Sequence, residues 1–389
     1  MKYIPRQLEK EMRRATGAFP AVLVTGARRT GKTTLLRRLF PKAAYCLLEN
    51  PDMLGRFRSD PQTFLDELGT PAILDEIQHA PEILNYVRAR IDEHPHLCGR
   101  WFLTGSQEAP LMRGVTESMA GRAAVFQLMP LSSEETSKVT LFSGGFPEVL
   151  ARPSSSGLWF RSYLQTYLER DVRSISSIRS LPTFRRFLAL LASRTGQWVN
   201  RTDLAAPLGV SIPTISEWLN ILEITQQIIL VPPFYENFGK RLVKSPKLYF
   251  TDSGLACHLL GIETATQLKK SPFMGPLFEG FVASEILKHQ INGGKERMLY
   301  TFRDREGLEV DFCIPLGDKR IALIEAKAGG TLFPRMVDSL LRLNKAMRGR
   351  EARCLLVYNL GKRMPDSSAI APGVKAVPVG RFLQEVFGG

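Results

Sequence analysis

The sequence lacks the features that mark secreted, zinc-binding and membrane-spanning proteins. Its five cysteines are scattered and form no CxxC pair, so neither a disulfide framework nor a zinc site is predicted. No apolar run approaches the roughly 20 residues that a membrane span requires. The N-terminus is charged from its start and has no apolar segment typical of a secretory signal. We therefore expect a cytoplasmic protein that does not cross a membrane.

Positive charge is what the sequence has in excess. The 389 residues carry a formal net charge of +14, whereas their hydrophobic content of 44% is ordinary for a globular protein. This length predicts about two to four domains. The charge favours a polyanionic partner such as DNA, although a basic surface without such a partner is the alternative.

The clearest motif occupies residues 26–33, GARRTGKT, and matches GxxxxGK[ST] at every fixed position. It lies between an apolar run typical of a buried strand (21–25) and a helical pattern. In such a loop, glycines let the backbone wrap phosphates with its N–H groups at a helix N-terminus. We predict that Lys32 reaches the β- and γ-phosphates of ATP and that Thr33 holds Mg²⁺. The residues expected to bind the nucleotide are Gly26, Ala27, Arg28, Arg29, Thr30, Gly31, Lys32, Thr33 and Thr34.

A second motif, PAILDE, follows at residues 71–76. Its apolar residues predict a strand that ends at Asp75, on the edge where ligands bind in open parallel sheets. We predict that Asp75 holds Mg²⁺ through water and that Glu76 polarises the attacking water. A strand followed by a charged turn is the alternative, and the loop upstream argues against it.

Two further candidates lie downstream of these motifs. Residues 100–106 predict a third strand whose Thr104 or Ser106 senses the γ-phosphate, although small residues also suit a plain strand end. Arg122 follows a helical stretch and is a candidate arginine finger that reaches the nucleotide of a neighbouring subunit. The alternative for Arg122 is an ordinary surface arginine.

Seven segments together carry a family resemblance: GARRTGKTT (26–34), LDEIQ (74–78), FLTGSQ (102–107), SMAGRA (118–123), MPLSSEE (129–135), GGFPEVL (144–150) and SYLQTYLERDV (162–172). In combination they resemble a group of prokaryotic AAA+ ATPases with a C-terminal domain of unknown function. The resemblance spans nearly the whole chain. It implies a homo-oligomer, commonly a ring, with ATP bound between subunits. It also implies a helical lid that contains SYLQTYLERDV, in which Arg170 is a candidate second sensor.

The middle of the chain predicts a winged helix. A short helix, a glycine turn and a second helix are indicated over 203–223, and strands flank a basic segment further on. Residues 211–223 contain no lysine or arginine, so a DNA-reading helix is disfavoured and phosphate contact by the wing is expected instead. The alternative is a packing module between the motor and the C-terminal domain. The predicted nucleic-acid contacts are Lys240, Arg241, Lys244 and Lys247.

Two C-terminal strands predict a cluster of carboxylates and a lysine. The period of two in EVDFCIP places Glu309, Asp311 and Cys313 on one face, and in ALIEAKA it aligns Glu325 with Lys327. Val310, Phe312 and Ile314 are expected on the opposite face of the first strand.

The D…E-x-K arrangement of Asp311, Glu325 and Lys327 resembles the PD-(D/E)XK nuclease fold, in which two carboxylates hold Mg²⁺ and the lysine positions water. The preceding helix offers Glu279 or Glu285, which lie about 240° apart and cannot face the same site. Glu279 matches the G-x-x-x-E spacing of related nucleases and is preferred. A nuclease-like domain that binds DNA without cutting it is the alternative.

The predicted fold class is α/β, with four parts. These are a P-loop AAA+ core with a parallel sheet (1–140), a helical lid (141–193), a winged helix (194–255) and a nuclease-like α/β domain (272–389). The leading hypothesis is ATP hydrolysis coupled to DNA translocation, unwinding or remodelling. The alternatives are an ATP-licensed, Mg²⁺-dependent DNA nuclease and a nucleotide-dependent switch that acts on a protein partner.

Overall fold

The structure is a computed structural model that describes residues 3–105, 117–168, 180–234, 245–347, 349–359 and 369–388. It contains two large sheets joined by a mainly helical middle part. Within the described residues, no helix combines the length and the apolar character that crossing a membrane requires.

The N-terminal part is a five-stranded parallel sheet with helices packed on it. Its strands are β1 (Ala21–Thr25), β2 (Ala44–Leu47), β3 (Ala72–Asp75), β4 (Trp101–Gly105) and β5 (Ala123–Gln127). Its helices are α1 (Glu9–Ala15), α2 (Lys32–Leu39), α3 (Pro51–Ser59), α4 (Pro61–Leu68) and α5 (Ile83–Glu93). The strands pair in the order β2-β3-β4-β1-β5, which confirms the parallel sheet. Because β1, β3 and β4 are buried at every residue, they read as continuous apolar runs.

The middle part is held together by one hydrophobic cluster that extends from Phe146 to Leu277. Its helices are α6 (Pro147–Ala151), α7 (Ser156–Tyr163), α8 (Leu181–Ser193), α9 (Arg201–Ala205), α10 (Ile212–Ile224), α11 (Ser253–Leu259) and α12 (Ala265–Lys270). Its strands β6 (Ile228–Val231) and β7 (Lys247–Phe250) form an antiparallel hairpin. Helices α7 and α8 therefore share a core with α9, α10 and the β6–β7 hairpin.

The C-terminal part is a six-stranded mixed sheet with helices on both faces. Its helices are α13 (Met274–Asn292), α14 (Asp338–Ala346) and α15 (Phe382–Phe387). Its strands are β8 (Tyr300–Arg303), β9 (Glu309–Gly317), β10 (Arg320–Lys327), β11 (Glu351–Tyr358), β12 (Ala369–Ala371) and β13 (Val374–Pro378). They pair in the order β12-β13-β11-β10-β9-β8. Helix α13 packs on one face through Val282 and Ile286, and α14 packs on the other through Leu340.

The predicted alternation of side chains along β9 holds for Phe312, Cys313 and Ile314 but is wrong at Val310, because the strand carries a bulge. Tyr300 pairs with Cys313 and Phe302 pairs with Val310, so three steps along β9 oppose two steps along β8. As a result Val310 packs in the same cluster as Cys313, on the α14 face, while Phe312 packs on the α13 face. The extra residue allows Asp311 to approach α13, as the contacts below show.

Candidate functional site

The loop between β1 and α2 adopts a conformation that requires glycine at both ends. Gly26 and Gly31 have φ angles of +147° and +97°, values that side-chain-bearing residues rarely adopt. A Cβ atom on Gly26 would lie 2.3 Å from the carbonyl oxygen of Leu128. Helix α2 begins at Lys32, immediately after the loop. The sequence thus places a wrapped backbone at a helix N-terminus, which is a favourable environment for phosphate.

The Lys32 ammonium is already held over this loop. Its Nζ donates to the carbonyl oxygens of Gly26 and Ala27, at 3.0 and 3.1 Å, and the side chain is buried. The helix backbone and these two carbonyls fix the lysine at the position where the sequence predicts contact with phosphate. The chain therefore orients this cation before any ligand contributes to its position.

Four side chains meet at the carboxyl ends of β2, β3 and β4. The Thr33 hydroxyl donates to Asp75 Oδ2 at 2.9 Å, the Tyr45 hydroxyl donates to the same oxygen at 2.8 Å, and Thr104 donates to Oδ1. The Glu76 N–H donates to the Thr104 hydroxyl at 3.0 Å. The ends of β3 and β4 and the first turn of α2 thus bring the two predicted metal residues, Thr33 and Asp75, together with the predicted sensor Thr104.

Glu76 follows β3 directly and has an unusual backbone conformation. Its φ angle is +59°, in the left-handed region, and the Gln78 side-chain amide donates to its carboxylate. No sequence motif includes Tyr45, whose hydroxyl lies beside the Asp75 carboxylate. Burial, followed by the hydrogen bond to Asp75, raises the Tyr45 pKa, which keeps the phenol protonated as a donor.

Arg6 stabilises the loop between β1 and α2 through hydrogen bonds, and no motif in the sequence identifies this residue. Its Nη1 donates to the Thr30 carbonyl at 3.0 Å, its Nη2 donates to the Met129 carbonyl at 2.7 Å, and its Nε pairs with Glu135 at 2.9 Å. The side chain is only 6% exposed. Arg6 therefore connects the N-terminal segment, the loop and the segment after β5.

Replacing Arg6 by alanine is expected to weaken ATP binding by roughly tenfold, because hydrogen bonds to a charged group contribute about 1.5–3 kcal/mol each and the loop loses one. Nucleotide affinity measured by titration of a fluorescent ATP analogue would test this. The matched control is Arg13→Ala, since Arg13 is exposed on α1. Equal affinities in the two variants would show that Arg6 does not order the loop.

An open cavity of about 1480 Å³ extends from the loop toward α6 and α7. It is lined by the loop, by Tyr3 and Arg6 of the N-terminal segment, and by Arg152, Leu158 and Trp159 in and next to these helices. This volume exceeds the ~300–1,000 Å³ typical of small-molecule pockets. The cavity beside the loop is therefore large enough to admit a nucleotide.

Arg122 lies on the surface of the core and binds a carboxylate of α5. Its Nε and Nη2 donate to Asp92 at 2.6 and 3.0 Å. Both partners are partly exposed. Its role as an arginine finger stays a prediction. Five other predicted residues lie outside the described residues: Ser106, Arg170, Lys240, Arg241 and Lys244.

The C-terminal sheet and α13 bring the predicted nuclease-like residues together. Lys327 Nζ donates to Glu325 Oε1 at 2.5 Å, and Asp311 Oδ2 accepts the Ala326 N–H at 2.9 Å. Glu279 is ion-paired 2.6 Å from Lys247, which is itself 3.5 Å from Asp311. The four predicted residues therefore form one cluster, although the β9 bulge changes how Asp311 reaches it.

The two glutamates of α13 have different partners. Glu279 faces the carboxylate cluster and accepts a hydrogen bond from the Tyr249 hydroxyl. Glu285 instead accepts from the backbone and hydroxyl of Ser133, at 2.7 and 2.5 Å, and from Lys288 at 3.0 Å. The preference for Glu279 agrees with this geometry, and Glu285 joins α13 to the N-terminal domain.

Lys247 does not have the exposed position that was predicted for a nucleic-acid contact, and that prediction is wrong for this residue. The side chain is 3% exposed, and its ammonium pairs with Glu279, Glu309 and Asp311. The sequence pattern placed it at the end of a basic wing. The register of β7 instead points it toward the C-terminal sheet.

The carboxylate cluster is expected to make stability depend on pH. Burial and the neighbouring Asp311 raise the pKa of Glu279 to about 7 and that of Glu325 to about 8, from an ordinary value of 4.5. The folded protein therefore binds these protons more tightly than the unfolded chain does. Their stabilising contribution is complete below pH ~4.5 and is lost as the pH rises through 7 to 8.

We expect the melting temperature to fall by several degrees between pH 5 and pH 8.5, and to fall less in Glu325→Gln. Differential scanning calorimetry across this range measures both. Glu351→Gln is the matched control, because Glu351 is exposed at the start of β11. A pH dependence of Glu325→Gln as steep as that of the wild type would contradict this assignment.

Family models divide the chain into three parts. Residues 18–137 match an AAA domain, residues 134–266 match a domain of unknown function (DUF8612), and residues 274–382 match a second domain of unknown function (DUF4143). The AAA match covers the five-stranded sheet and the loop geometry described above. The middle match covers most of the hydrophobic cluster that the helices and the hairpin of the middle part share.

Among solved structures, the chain is similar to the Walker-type ATPase PABY2304 of Pyrococcus abyssi. The TM-score is 0.48 at 16% identity, over 66% of this chain and 96% of that one. It is also similar to a variant of RuvB from Thermotoga maritima, with a TM-score of 0.32 at 16% identity, over 58% of this chain and 89% of that one.

Two curated relatives match almost the full length. They are the uncharacterized proteins Rv2008c of Mycobacterium tuberculosis and Mb2031c of Mycobacterium bovis, each 30% identical over 387 residues, which are 97% of this chain and 84% of the relative. The match thus extends over all three parts of the chain. The chain belongs to the family of these two mycobacterial proteins, and its first domain is a P-loop ATPase domain of the AAA type.

Proposed function

We propose that the chain hydrolyses ATP with Mg²⁺ at the loop of residues 26–34 and couples hydrolysis to work on DNA. The observation that carries the proposal is the convergence of Thr33, Asp75 and Thr104 at one end of the loop. Hydroxyl and carboxylate oxygens are the ligands that Mg²⁺ prefers.

The residues present fit both ATP and Mg²⁺. A Cβ on Gly26 has no room, so the loop backbone is shaped as a cradle, and α2 presents its N-terminus to it. Thr33 and Asp75 would hold the cation, which supplies charge neutralisation for the phosphates when it is bound. Lys32 would add a second positive charge on the same side.

Four residues of the chain, Lys32, Glu76, Gln78 and Thr104, have the remaining roles in ATP hydrolysis. Lys32 neutralises phosphate charge, and Thr104 orients Asp75 while it accepts the Glu76 N–H. The Glu76 carboxylate, positioned by Gln78, polarises the attacking water and takes its proton. Burial of Asp75 and Thr104 excludes water from the far side of the site.

The arrangement of α8, α9, α10 and the β6–β7 hairpin supports the interpretation as a winged helix. Trp198, before α9, pairs with Lys247 of β7 as a third strand segment would. The net charge of +14 supports an anionic partner. DNA phosphates would then be met by the basic segment that connects β6 to β7, which contains Lys240, Arg241 and Lys244.

The test is ATP hydrolysis by the wild type and Lys32→Ala, with and without duplex, single-stranded and branched DNA. We expect stimulation by one DNA form, lost in Lys32→Ala and reduced at high salt. Lys32-dependent hydrolysis that no DNA alters, together with no salt-sensitive DNA affinity, would overturn the DNA half. It would favour the switch that acts on a protein partner.

We also propose a homo-oligomer, a ring in its simplest form, in which Arg122 reaches the nucleotide of a neighbour. Partial exposure leaves Arg122 accessible, and Asp92 orients it. Mixing inactive Arg122→Ala with inactive Lys32→Ala would restore part of the activity, because some interfaces then combine an intact finger with an intact loop. No restoration, with both variants still assembled, would contradict this role.

Cleavage of DNA is the second candidate function. The adjacency of Asp311, Glu325 and Lys327 favours it, because these are the residues that the nuclease-like pattern requires. Mg²⁺-dependent cleavage lost in Asp311→Ala, with ATP hydrolysis intact, would support it. The position of Lys247 argues against it.

A further inference from the structure

The Lys247 ammonium lies inside the carboxylate cluster and contacts carboxylates from two separate elements. It is 2.6 Å from Glu279 Oε1 on α13, and 2.8 and 3.5 Å from Glu309 Oε1 and Asp311 Oδ1 on β9. The lysine itself comes from β7, in the middle part of the chain. A positive charge of this chain therefore lies at the point where these carboxylates converge.

The backbone around Lys247 fixes it in this position. Lys247 pairs with Val231 within the hairpin and with Trp198 on its other side. The Tyr249 hydroxyl, two residues along β7, donates to Glu279, and its ring packs 5.8 Å from that of Phe312. The side chain of Lys247 therefore starts from a backbone position that is paired on both sides.

The hairpin is also joined to the edge of the C-terminal sheet. The Phe234 N–H donates to the Thr301 carbonyl at 2.7 Å, and the Thr301 N–H donates to the Pro232 carbonyl at 3.0 Å. These bonds extend β6 alongside β8, the edge strand of the sheet. The hairpin and the C-terminal sheet therefore form a continuous backbone network around the cluster.

The cluster does not fit a resident Mg²⁺. The space between these carboxylates is taken by the Lys247 ammonium, because their oxygens lie 2.6–3.5 Å from Lys247 Nζ, which are distances for N–H···O bonds and ion pairs. Across the part of the chain that the structure describes, no three His, Cys, Asp or Glu side chains form a group able to hold a metal ion. The nearby Lys327 is a second ammonium in the cluster, held by Glu325.

We propose that Lys247 is the resident cation of this cluster in place of a divalent metal, so that the nuclease-like residues lock the hairpin to the C-terminal domain and do not cut DNA. Four carboxylates, those of Glu279, Glu309, Asp311 and Glu325, surround two ammonium groups. When all six groups are ionised, the negative charges outnumber the positive ones, which favours binding of a further cation. Removing Lys247 would then let these carboxylates rearrange around a divalent cation.

The first experiment titrates nucleotide-free wild type and Asp311→Asn with Mn²⁺, followed by electron paramagnetic resonance. Because the ammonium occupies the cluster, the two proteins are expected to bind the same number of ions. An ion bound by the wild type and lost in Asp311→Asn would overturn the proposal. This measurement does not depend on the folding of any Lys247 variant.

The second experiment compares Lys247→Ala with Lys269→Ala, a control at an exposed lysine of α12. We expect Lys247→Ala to gain one Mn²⁺ site per chain, whereas the wild type should have no Asp311-dependent site. The added site should disappear in the Lys247→Ala, Asp311→Asn double variant. A folded Lys247→Ala protein, checked by circular dichroism, that gains no Asp311-dependent site would also overturn the proposal.

Discussion

Replacing Glu76 by glutamine is expected to lower the rate of ATP hydrolysis by about 10²–10³-fold while ATP still binds, since general-base catalysis contributes that order of rate. The amide has the shape of the carboxylate but cannot accept the proton of water. The phosphate-binding loop and Asp75 are untouched by this change. Steady-state hydrolysis and nucleotide affinity, measured on the same preparation, separate the two effects.

The matched control for Glu76→Gln is Glu93→Gln, at the exposed end of α5. It should hydrolyse ATP at the wild-type rate. If Glu76→Gln retained more than about a tenth of the wild-type rate, which is only ~1.4 kcal/mol of barrier, the base would have to be sought elsewhere. A loss of ATP affinity in place of turnover would indicate that Glu76 acts by ordering the site.

Lys288→Ala is expected to destabilise the fold by about 3–5 kcal/mol, the cost of leaving a buried charge without its partner. Lys288 and Glu285 are 2% and 0% exposed, and the ammonium also donates to the Leu131 carbonyl at 3.1 Å. Both residues lie on α13, at its contact with the N-terminal domain. Equilibrium unfolding in urea measures the loss in the free energy of unfolding.

A double-mutant cycle with Glu285→Gln and Lys288→Met isolates the pair. We expect the double variant to recover part of the stability lost in either single variant, because no unpaired charge then remains buried. Lys270→Ala, at an exposed lysine of α12, is the control. Strict additivity of the two single changes would show that the ion pair contributes nothing beyond its separate groups.

The nucleotide site was predictable from sequence because its parts are local. A strand, a glycine-bounded loop and a helix are adjacent along residues 21–39, and the parallel sheet brings Asp75 beside Thr33 by a general rule of such sheets. The rotation of 100° per residue around a helix likewise predicted that Glu279 and Glu285 face different directions. In each case one element, or one strand pairing, fixes the geometry.

The residues that sequence reasoning missed depend on long-range packing. Arg6 meets Glu135 across 129 positions of sequence, and Lys247 meets Glu309 across 62. Nothing near either residue signals its partner. The position of Asp311 depends on a bulge that one strand imposes on another, and an alternation rule for an isolated strand does not foresee it.

Helix α13 contacts every part of the protein. It is bonded to the N-terminal domain through Glu285 and Lys288, to the end of β7 through the Ser284 hydroxyl and the Thr251 carbonyl, 2.6 Å apart, and to the C-terminal sheet through its apolar face. Its 19 residues span about 28 Å. Glu285, which contacts Ser133, and Glu279, in the carboxylate cluster, lie six residues apart on this helix, about 9 Å along its axis, so a single rigid element joins the N-terminal domain to the cluster.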